Sequence, residues 1–248
     1  MDTLNAFTGV VRRCVDDYGM ISAGDRIAVG ISGGKDSLVL LSALSHLRRY
    51  YPAHFDLEAV TIDSGFPDMD FSGVAALCER LEVPYTIVPT DIRAIVFDAR
   101  QEENPCSLCS KMRRGALNNL IKEHGCNKLA LGHHFDDSVE TFMMSLLFEG
   151  RIACYQPVTY LDRSGITQIR PLLYVGEQRC ANLAAAMHLP VVKSTCPMDH
   201  TSKRQEIKDL LAALSAQYPD MRSKVFGAMQ RLPLDGWGPT PHERKKSE

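Results

Sequence analysis

The sequence predicts an α/β chain built on a doubly wound, mostly parallel sheet. Two observations carry this. Short apolar runs rich in β-branched residues alternate with longer Leu- and Ala-rich runs, the pattern of strands and helices wound in turn. Turn-forming stretches rich in Gly, Pro, Ser and Asp stand where the strand-like runs end.

The elements follow in order. Residues 3–19 form an amphipathic helix, with Leu4, Phe7, Val10, Val11, Cys14, Val15 and Tyr18 at helical spacing. A Gly24-Asp25 turn leads to a buried strand at 27–31, a tight turn, and a helix from Asp36 to about Leu47. A second strand spans 57–62 and exits through a loop at 63–67; a helix covers 71–82 and a third strand 85–89. Residues 90–105 read as irregular. A helix then runs from the Cys106 region through His124, a fourth strand covers 128–132, and a loop at 133–140 precedes a strongly apolar core helix at 141–149. Residues 155–173 read as extended chain with a turn at 162–165. Helices are expected at 177–187, 201–214 and 219–231. Residues 1–232 form one expected domain, and 233–248 a loose tail.

Composition sets limits. The chain has 248 residues, 45% of them apolar and 23% charged, with a net charge of −2. That suits a globular domain with a sizeable core and excludes a polycation, so any RNA contact must come from local basic patches. One candidate is the basic set between 203 and 231, in which acids interleave. No signal peptide and no membrane-spanning apolar run is read, which points to a cytoplasmic protein without membrane contact. Eight cysteines in such a compartment are not a disulfide framework. Cys14, Cys78, Cys126, Cys154 and Cys180 read as small apolar fillers.

Four stretches carry chemistry. The first is Ser32-Gly33-Gly34-Lys35-Asp36-Ser37, between the first strand and its helix. Its glycines let the backbone approach a ligand, the helix start offers N–H groups, and Ser32, Ser37 and Lys35 add donors. This is a phosphate cradle, but not a Walker loop, which needs Gly-x-x-x-x-Gly-Lys-Ser/Thr. Beyond the second strand, the Ile62–Asp63 backbone is a candidate adenine neighbour, or a plain exit turn. The second stretch is Cys106-x-x-Cys109, followed by Lys111, Arg113 and Arg114. Alone it fits a redox dithiol, half a zinc site or half an iron–sulfur site. The third is His133-His134-Phe135-Asp136-Asp137, expected at the same sheet edge as the cradle. Its carboxylates suit Mg²⁺ beside a triphosphate, and His or Asp suits acid–base work; the alternative is that the two His are packing or capping residues and Asp136 a helix N-cap. The fourth holds Cys196, in Cys-Pro-Met-Asp-His, which is distant in sequence but can wind back to that edge.

Ser32–Ser37 resembles the PP-loop of the ATP pyrophosphatases, which split ATP between the α and β phosphates. With Cys106-x-x-Cys109, Gly132-His133-His134-x-Asp136-Asp137-x-x-Glu140-Thr141 and Cys196, the chain to about Leu214 resembles the tRNA 2-thiocytidine synthetases. The resemblance implies an adenine nucleotide α-hydrolase-like fold, ATP and Mg²⁺ as cofactors, and a [4Fe–4S] cluster on Cys106, Cys109 and Cys196. It implies adenylation at C2 of a tRNA pyrimidine, cytidine 32 in the namesake members, and replacement of the oxygen by sulfur. AMP and pyrophosphate are released. Asp137 (or Asp136) and Arg113 match residues the family places between ATP and cluster, with Lys111 an addition. The sulfur donor would be sulfide or a persulfide carrier, and the assembly a homodimer. The Cys-rich zinc-binding segments of the sister branch are absent. Three rivals remain: a Cys₃His zinc site with His200, a lysidine- or amide-forming PP-loop ligase, and a cluster-binding sensor without turnover.

Overall fold

The computed structural model describes residues 3–100, 105–198, 203–231 and Trp237. Six strands form one sheet: β1 (Asp25–Gly30), β2 (Phe55–Asp63), β3 (Tyr85–Pro89), β4 (Lys128–Ala130), β5 (Val158–Leu161) and β6 (Ile166–Ile169), in the order β3-β2-β1-β4-β6-β5. All neighbours are parallel except the β5–β6 hairpin, where Val158 faces Ile169 and Leu161 faces Ile166. The chain winds outward from β1 in one direction, through β2 to β3, then returns to β4 on the other side. The carboxyl ends of β1 and β4 therefore flank a crevice, the place where such sheets bind ligands.

Helices cover both faces. On one face α1 (Leu4–Asp17), α2 (Lys35–Leu47), α3 (Ser72–Arg80) and α6 (Glu177–Ala186) bury Phe7, Leu41, Leu44, Leu77 and Leu183 in the larger core. On the other, α4 (Pro105–Glu123) packs Ile121 over Val60, Ile62 and Leu129. α5 (Phe135–Glu149), α7 (Lys203–Gln217) and α8 (Met221–Arg231) pack together beside the sheet.

Four departures from the sequence reading have physical reasons. Residues 94–99, expected to be irregular, form a π-helical turn whose Val96 is buried against Ile92. The helix expected from 141 begins at Phe135, because His134 caps it and places Asp136 and Asp137 in its first turn. That helix is not core all round: Phe142, Met143 and Met144 pack inward, whereas Leu146, Leu147 and Phe148 are exposed. Its partners α7 and α8 cover one side only. Within the stretch expected to be loose, Trp237 is fully buried, 5.5 Å from the Phe226 ring, and its indole N–H donates to the Tyr155 carbonyl at 2.9 Å. The rest of the expected tail and the start of the helix expected from 201 lie outside the described residues.

Candidate active site

The Ser32–Ser37 turn links β1 to α2 and is held in shape by its own hydroxyls. Ser32 N–H donates to Ser37 Oγ (3.3 Å), Gly34 N–H to Ser32 Oγ (3.3 Å), and Ser37 Oγ to the Gly34 carbonyl (2.8 Å). Gly33 sits at φ +83°, which L side chains rarely adopt, and a Cβ there would lie 2.8 Å from Val192 Cβ. Val192 N–H donates to the Gly33 carbonyl at 3.0 Å, so the chain leading to Cys196 lies against the turn. Gly132, after β4, also lies close to the turn: a Cβ would meet the Asp36 and Ser37 backbone at 3.1 Å.

A cleft of about 420 Å³ opens at the carboxyl ends of β1, β2, β4 and β6. Ser32, Asp36 and Ser37 line one side and Arg113 and Arg114 another. Val60, Ile62, Leu117, Leu129 and Leu131 supply an apolar wall suited to a base. His133, Gln168 and Arg170 complete the lining. The structure thus places Ser32, Asp36, Ser37, Ile62, Arg113 and His133 together.

Other expected residues face elsewhere. Lys35 Nζ pairs with Glu177 (3.0 Å) and Asp36 (3.2 Å) and lines a separate depression with Asp136 and Arg222. Burial opposes the Lys35 charge, but Asp36 and Glu177 outweigh it and raise its pKa, so the cation persists. Asp63 is occupied in its exit turn, its carboxylate accepting from Gly65 N–H at 2.9 Å. Asp136 accepts from Arg222 (2.9 Å) and from Glu177 N–H (2.7 Å). Asp137 accepts from Arg204 at 3.0 Å and from His134 N–H at 3.0 Å. The α5 cap is therefore a reciprocal box between His134 and Asp137, and Asp136 is not the N-cap. His134 Nδ1 accepts from Asp137 N–H, which leaves the proton on Nε2, 3.4 Å from the Asp137 carboxylate. Both α5 carboxylates are thus neutralised by α7 and α8. Asp36 differs: its Oδ1 is buried without a partner.

The same contacts resolve the basic set after 203. Arg204, Lys208 and Arg222 turn inward onto Asp137, Glu140, Glu177 and Asp136, so they are not a solvated face. Glu140 is 1% exposed, and burial pushes its carboxyl up to about 7 despite Lys208 and Arg204. Glu177 goes the other way: burial would raise it, but Lys35 and then Lys208 hold it at about 2.

Cys106 and Cys109 lie in the first turns of α4, three residues apart and so on neighbouring positions of one face. Cys196 joins them from its loop, where Thr195 Oγ1 donates to the Pro67 carbonyl at 2.9 Å. Burial raises the Cys109 thiol first, Arg113 lowers it, and Cys196 and Cys106 both raise it further. The three thiols therefore share one electrostatic neighbourhood with Arg113, which also lines the cleft. Lys111 is exposed on α4 and lies outside the cleft lining. Among the described residues no three His, Cys, Asp or Glu are gathered tightly around a single metal position. His200 lies outside the described residues. The other cysteines are protonated thiols, buried except for the half-buried Cys154: burial pushes Cys14 and Cys154 up to about 12 and Cys78 and Cys126 up to about 11.

Sequence reasoning missed the cleft floor. Tyr155 stacks between the His133 ring (4.9 Å between centroids) and the Arg170 guanidinium (4.8 Å). Burial and then Arg170 lower His133 to about 4, so it is a neutral imidazole at pH 7. The only signal in the sequence was an Arg immediately after a β-branched run, at Ile169-Arg170-Pro171.

The PP-loop domain family matches residues 8–214. The tRNA-cytidine(32) 2-sulfurtransferase of Pelobacter propionicus is 39% identical over 225 residues, covering 90% of this chain and 84% of that protein. The enzyme of the same name from Geobacter sulfurreducens is 39% identical over 222 residues, covering 88% and 86%. Among solved structures, the U34-tRNA thiolase NcsA from Methanococcus maripaludis, with its [4Fe-4S] cluster, superposes with a TM-score of 0.75 at 27% identity. The match covers 92% of this chain and 79% of that one.

Proposed function

We propose a function from the premise that the chain belongs to the PP-loop domain family and, within it, to the tRNA-cytidine(32) 2-sulfurtransferases. The protein replaces the C2 oxygen of a tRNA cytidine, position 32, with sulfur, using ATP. The observation that carries this reading is Arg113, which lines the cleft that opens on the Ser32–Ser37 turn and acts electrostatically on Cys109 together with Cys106 and Cys196, in a chain 39% identical to sulfurtransferases over nine-tenths of its length.

The residues divide the work. The C2 oxygen is a poor leaving group until AMP is attached to it. Ser32, Gly33, Gly34 and Ser37 cradle the phosphates that depart as pyrophosphate, and Lys35 reaches them by leaving Glu177. The apolar wall around Ile62 holds the adenine. A magnesium ion bound with the triphosphate would neutralise departing charge, and Asp36, with its unpartnered Oδ1, is the carboxylate best placed to hold it. Asp136 and Asp137 act one step removed, by fixing α5 and the cations of α7 and α8. Three thiols are the kind of donor set an iron–sulfur group takes. Cys106, Cys109 and Cys196 would hold a [4Fe–4S] cluster, which supplies the position from which sulfur reaches C2. Arg113 lines the cleft and favours the Cys109 thiolate, and neutral His133 donates or accepts a hydrogen bond instead of supplying a proton at pH 7.

The exposed cations Lys111, Arg113 and Arg114 form the tRNA entrance. The sulfur donor is sulfide or a persulfide carrier. A homodimer is the proposed assembly, its support being the exposed apolar group Leu146, Leu147, Phe148 and Ile152. Among the described residues no helix is long and apolar enough to cross a membrane; a cytoplasmic location goes with a tRNA substrate. The non-sulfur ligase and zinc alternatives are not favoured, since the relatives are sulfurtransferases and the similar thiolase structure carries a [4Fe-4S] cluster.

The test is nucleoside analysis of unmodified tRNA incubated with the anaerobically reconstituted protein, ATP and sulfide. 2-Thiocytidine is expected, and Cys106→Ser or Cys196→Ser should abolish it while leaving ATP binding within about twofold. Equal product from those variants would reject the role of the thiols.

A further inference from the structure

The cleft floor holds a cation that the protein itself does not neutralise. Arg170 follows β6 and is 5% exposed. It donates to the Gln156 carbonyl, to Thr159 Oγ1 (3.2 Å) and to Gln168 Oε1 (3.3 Å), and it stacks on Tyr155. Every one of these partners is neutral. No carboxylate among the described residues lies within ion-pair distance, and Nε is buried without any partner. Burial and the Arg114 cation both lower its pKa. A guanidinium withdrawn from water in this way is destabilised unless an anion joins it. The cations of the neighbouring network, Lys35, Arg204, Lys208 and Arg222, each have a carboxylate. Beside that network, the cleft thus holds unpaired positive charge, with Arg170 in its floor and Arg113 and Arg114 at its rim.

We propose that Arg170, supported by Arg113 and Arg114, forms a second anion subsite of the cleft that holds the α-phosphoryl group of the adenine nucleotide. It is separate from the Ser32–Ser37 cradle, because β6 lies two strands from β1, about 10 Å at the usual strand spacing. The inference rests on the thiolation reading for its chemistry. The cytosine C2 oxygen attacks the α-phosphorus, an O–Pα bond forms, the bond from Pα to the bridging oxygen breaks, and its electron pair leaves with pyrophosphate. The two products of that cleavage then occupy two subsites: pyrophosphate at the cradle, and the adenylyl phosphate, still on the base, at Arg170. The planar guanidinium suits two phosphoryl oxygens at once.

The experiment titrates AMP, pyrophosphate and unmodified tRNA separately into the full-length, anaerobically prepared protein and its Arg170→Met and Arg170→Lys variants. The melting midpoint is recorded without ligand. In Arg170→Met the AMP dissociation constant should rise roughly 10- to 100-fold, the effect of losing hydrogen bonds to a charged group. Pyrophosphate and tRNA binding should stay within about twofold, and Arg170→Lys should recover part of the AMP affinity. The ligand-free midpoint should hold or rise, because an unneutralised buried charge has been removed. A lower midpoint with unchanged AMP binding would make Arg170 a structural cation and overturn the proposal. So would loss of tRNA binding with AMP spared, which assigns the subsite to the RNA backbone, or equal loss of pyrophosphate and AMP. Absence of 2-thiocytidine with AMP binding still dependent on Arg170 would reject the thiolation reading and leave the subsite standing.

Discussion

Replacing Gly33 by Ala tests how the phosphate turn and the Cys196 segment are built on each other. Two separate penalties apply. The backbone at φ +83° costs an L-residue roughly 1–2 kcal/mol. The new Cβ would also stand 2.8 Å from Val192 Cβ, 3.2 Å from its Cγ2 and 3.3 Å from Phe71 Cε1. Overpacking of this kind costs about 1–3 kcal/mol. The lost flexibility of the unfolded chain returns about 0.4–1 kcal/mol, too little to change the sign. The net loss should therefore be about 1–4 kcal/mol, read by urea denaturation, with weakened ATP binding by titration. Val192→Gly removes both the Cβ and the Cγ2 that the new methyl would meet, so in that background Gly33→Ala loses most of its steric share and keeps the backbone share, and its cost, measured against Val192→Gly alone, should be about half of that in the parent. No cost in that background would refute the backbone argument, and a Gly33→Ala variant as stable as the parent would refute both.

Three further perturbations read other parts of the site. Glu140 has a folded-state pKa of about 7, above its unfolded value, so its contribution to stability is present below about pH 4.5 and is lost as pH rises through 7. Glu140→Gln should flatten the fall in stability between pH 5 and 8, a change of order 3 kcal/mol at most, in denaturation curves at stepped pH; an unchanged slope would remove Glu140 as its source. Trp237→Ala should cost about 3–5 kcal/mol, because the ring is fully buried; a loss under about 1 kcal/mol would mean that the segment is not docked in solution. Glu177→Gln should free Lys35 for phosphate and tighten pyrophosphate binding about two- to fivefold by calorimetry, as befits a part-exposed ion pair; weaker binding would mean that Glu177 positions Lys35.

The strands and the cradle were legible in the sequence because local signals agree there. A β-branched run, two glycines and a Leu-rich helix say the same thing at 27–47, and the structure adds only the Val192 buttress behind Gly33. The four stretches of the site were legible as motifs, but not how their charges are shared. Asp136 and Asp137 read as an open carboxylate pair; their partners Arg222 and Arg204 lie 86 and 67 residues away, and no local pattern announces such pairs. The α5 start was misplaced for a related reason, since a His N-cap answered by an Asp lies outside the usual Ser/Thr box. Arg170 was passed over because an Arg after a strand is ordinarily solvated; only the sheet order carries it under Tyr155 and into the cleft.

Sulfur transfer depends on Cys106, Cys109 and Cys196, which share the electrostatic neighbourhood of the cleft residue Arg113. The measurement that tests this most directly is an anaerobic ultraviolet–visible spectrum of the purified protein with iron, sulfide and zinc analysis, beside a Cys106→Ser, Cys109→Ser, Cys196→Ser variant. A broad brown absorption with about four iron and four sulfide per chain, lost in the variant, is the predicted result. A colourless protein carrying one zinc per chain after anaerobic reconstitution would contradict it and leave the thiolation reading without its sulfur carrier.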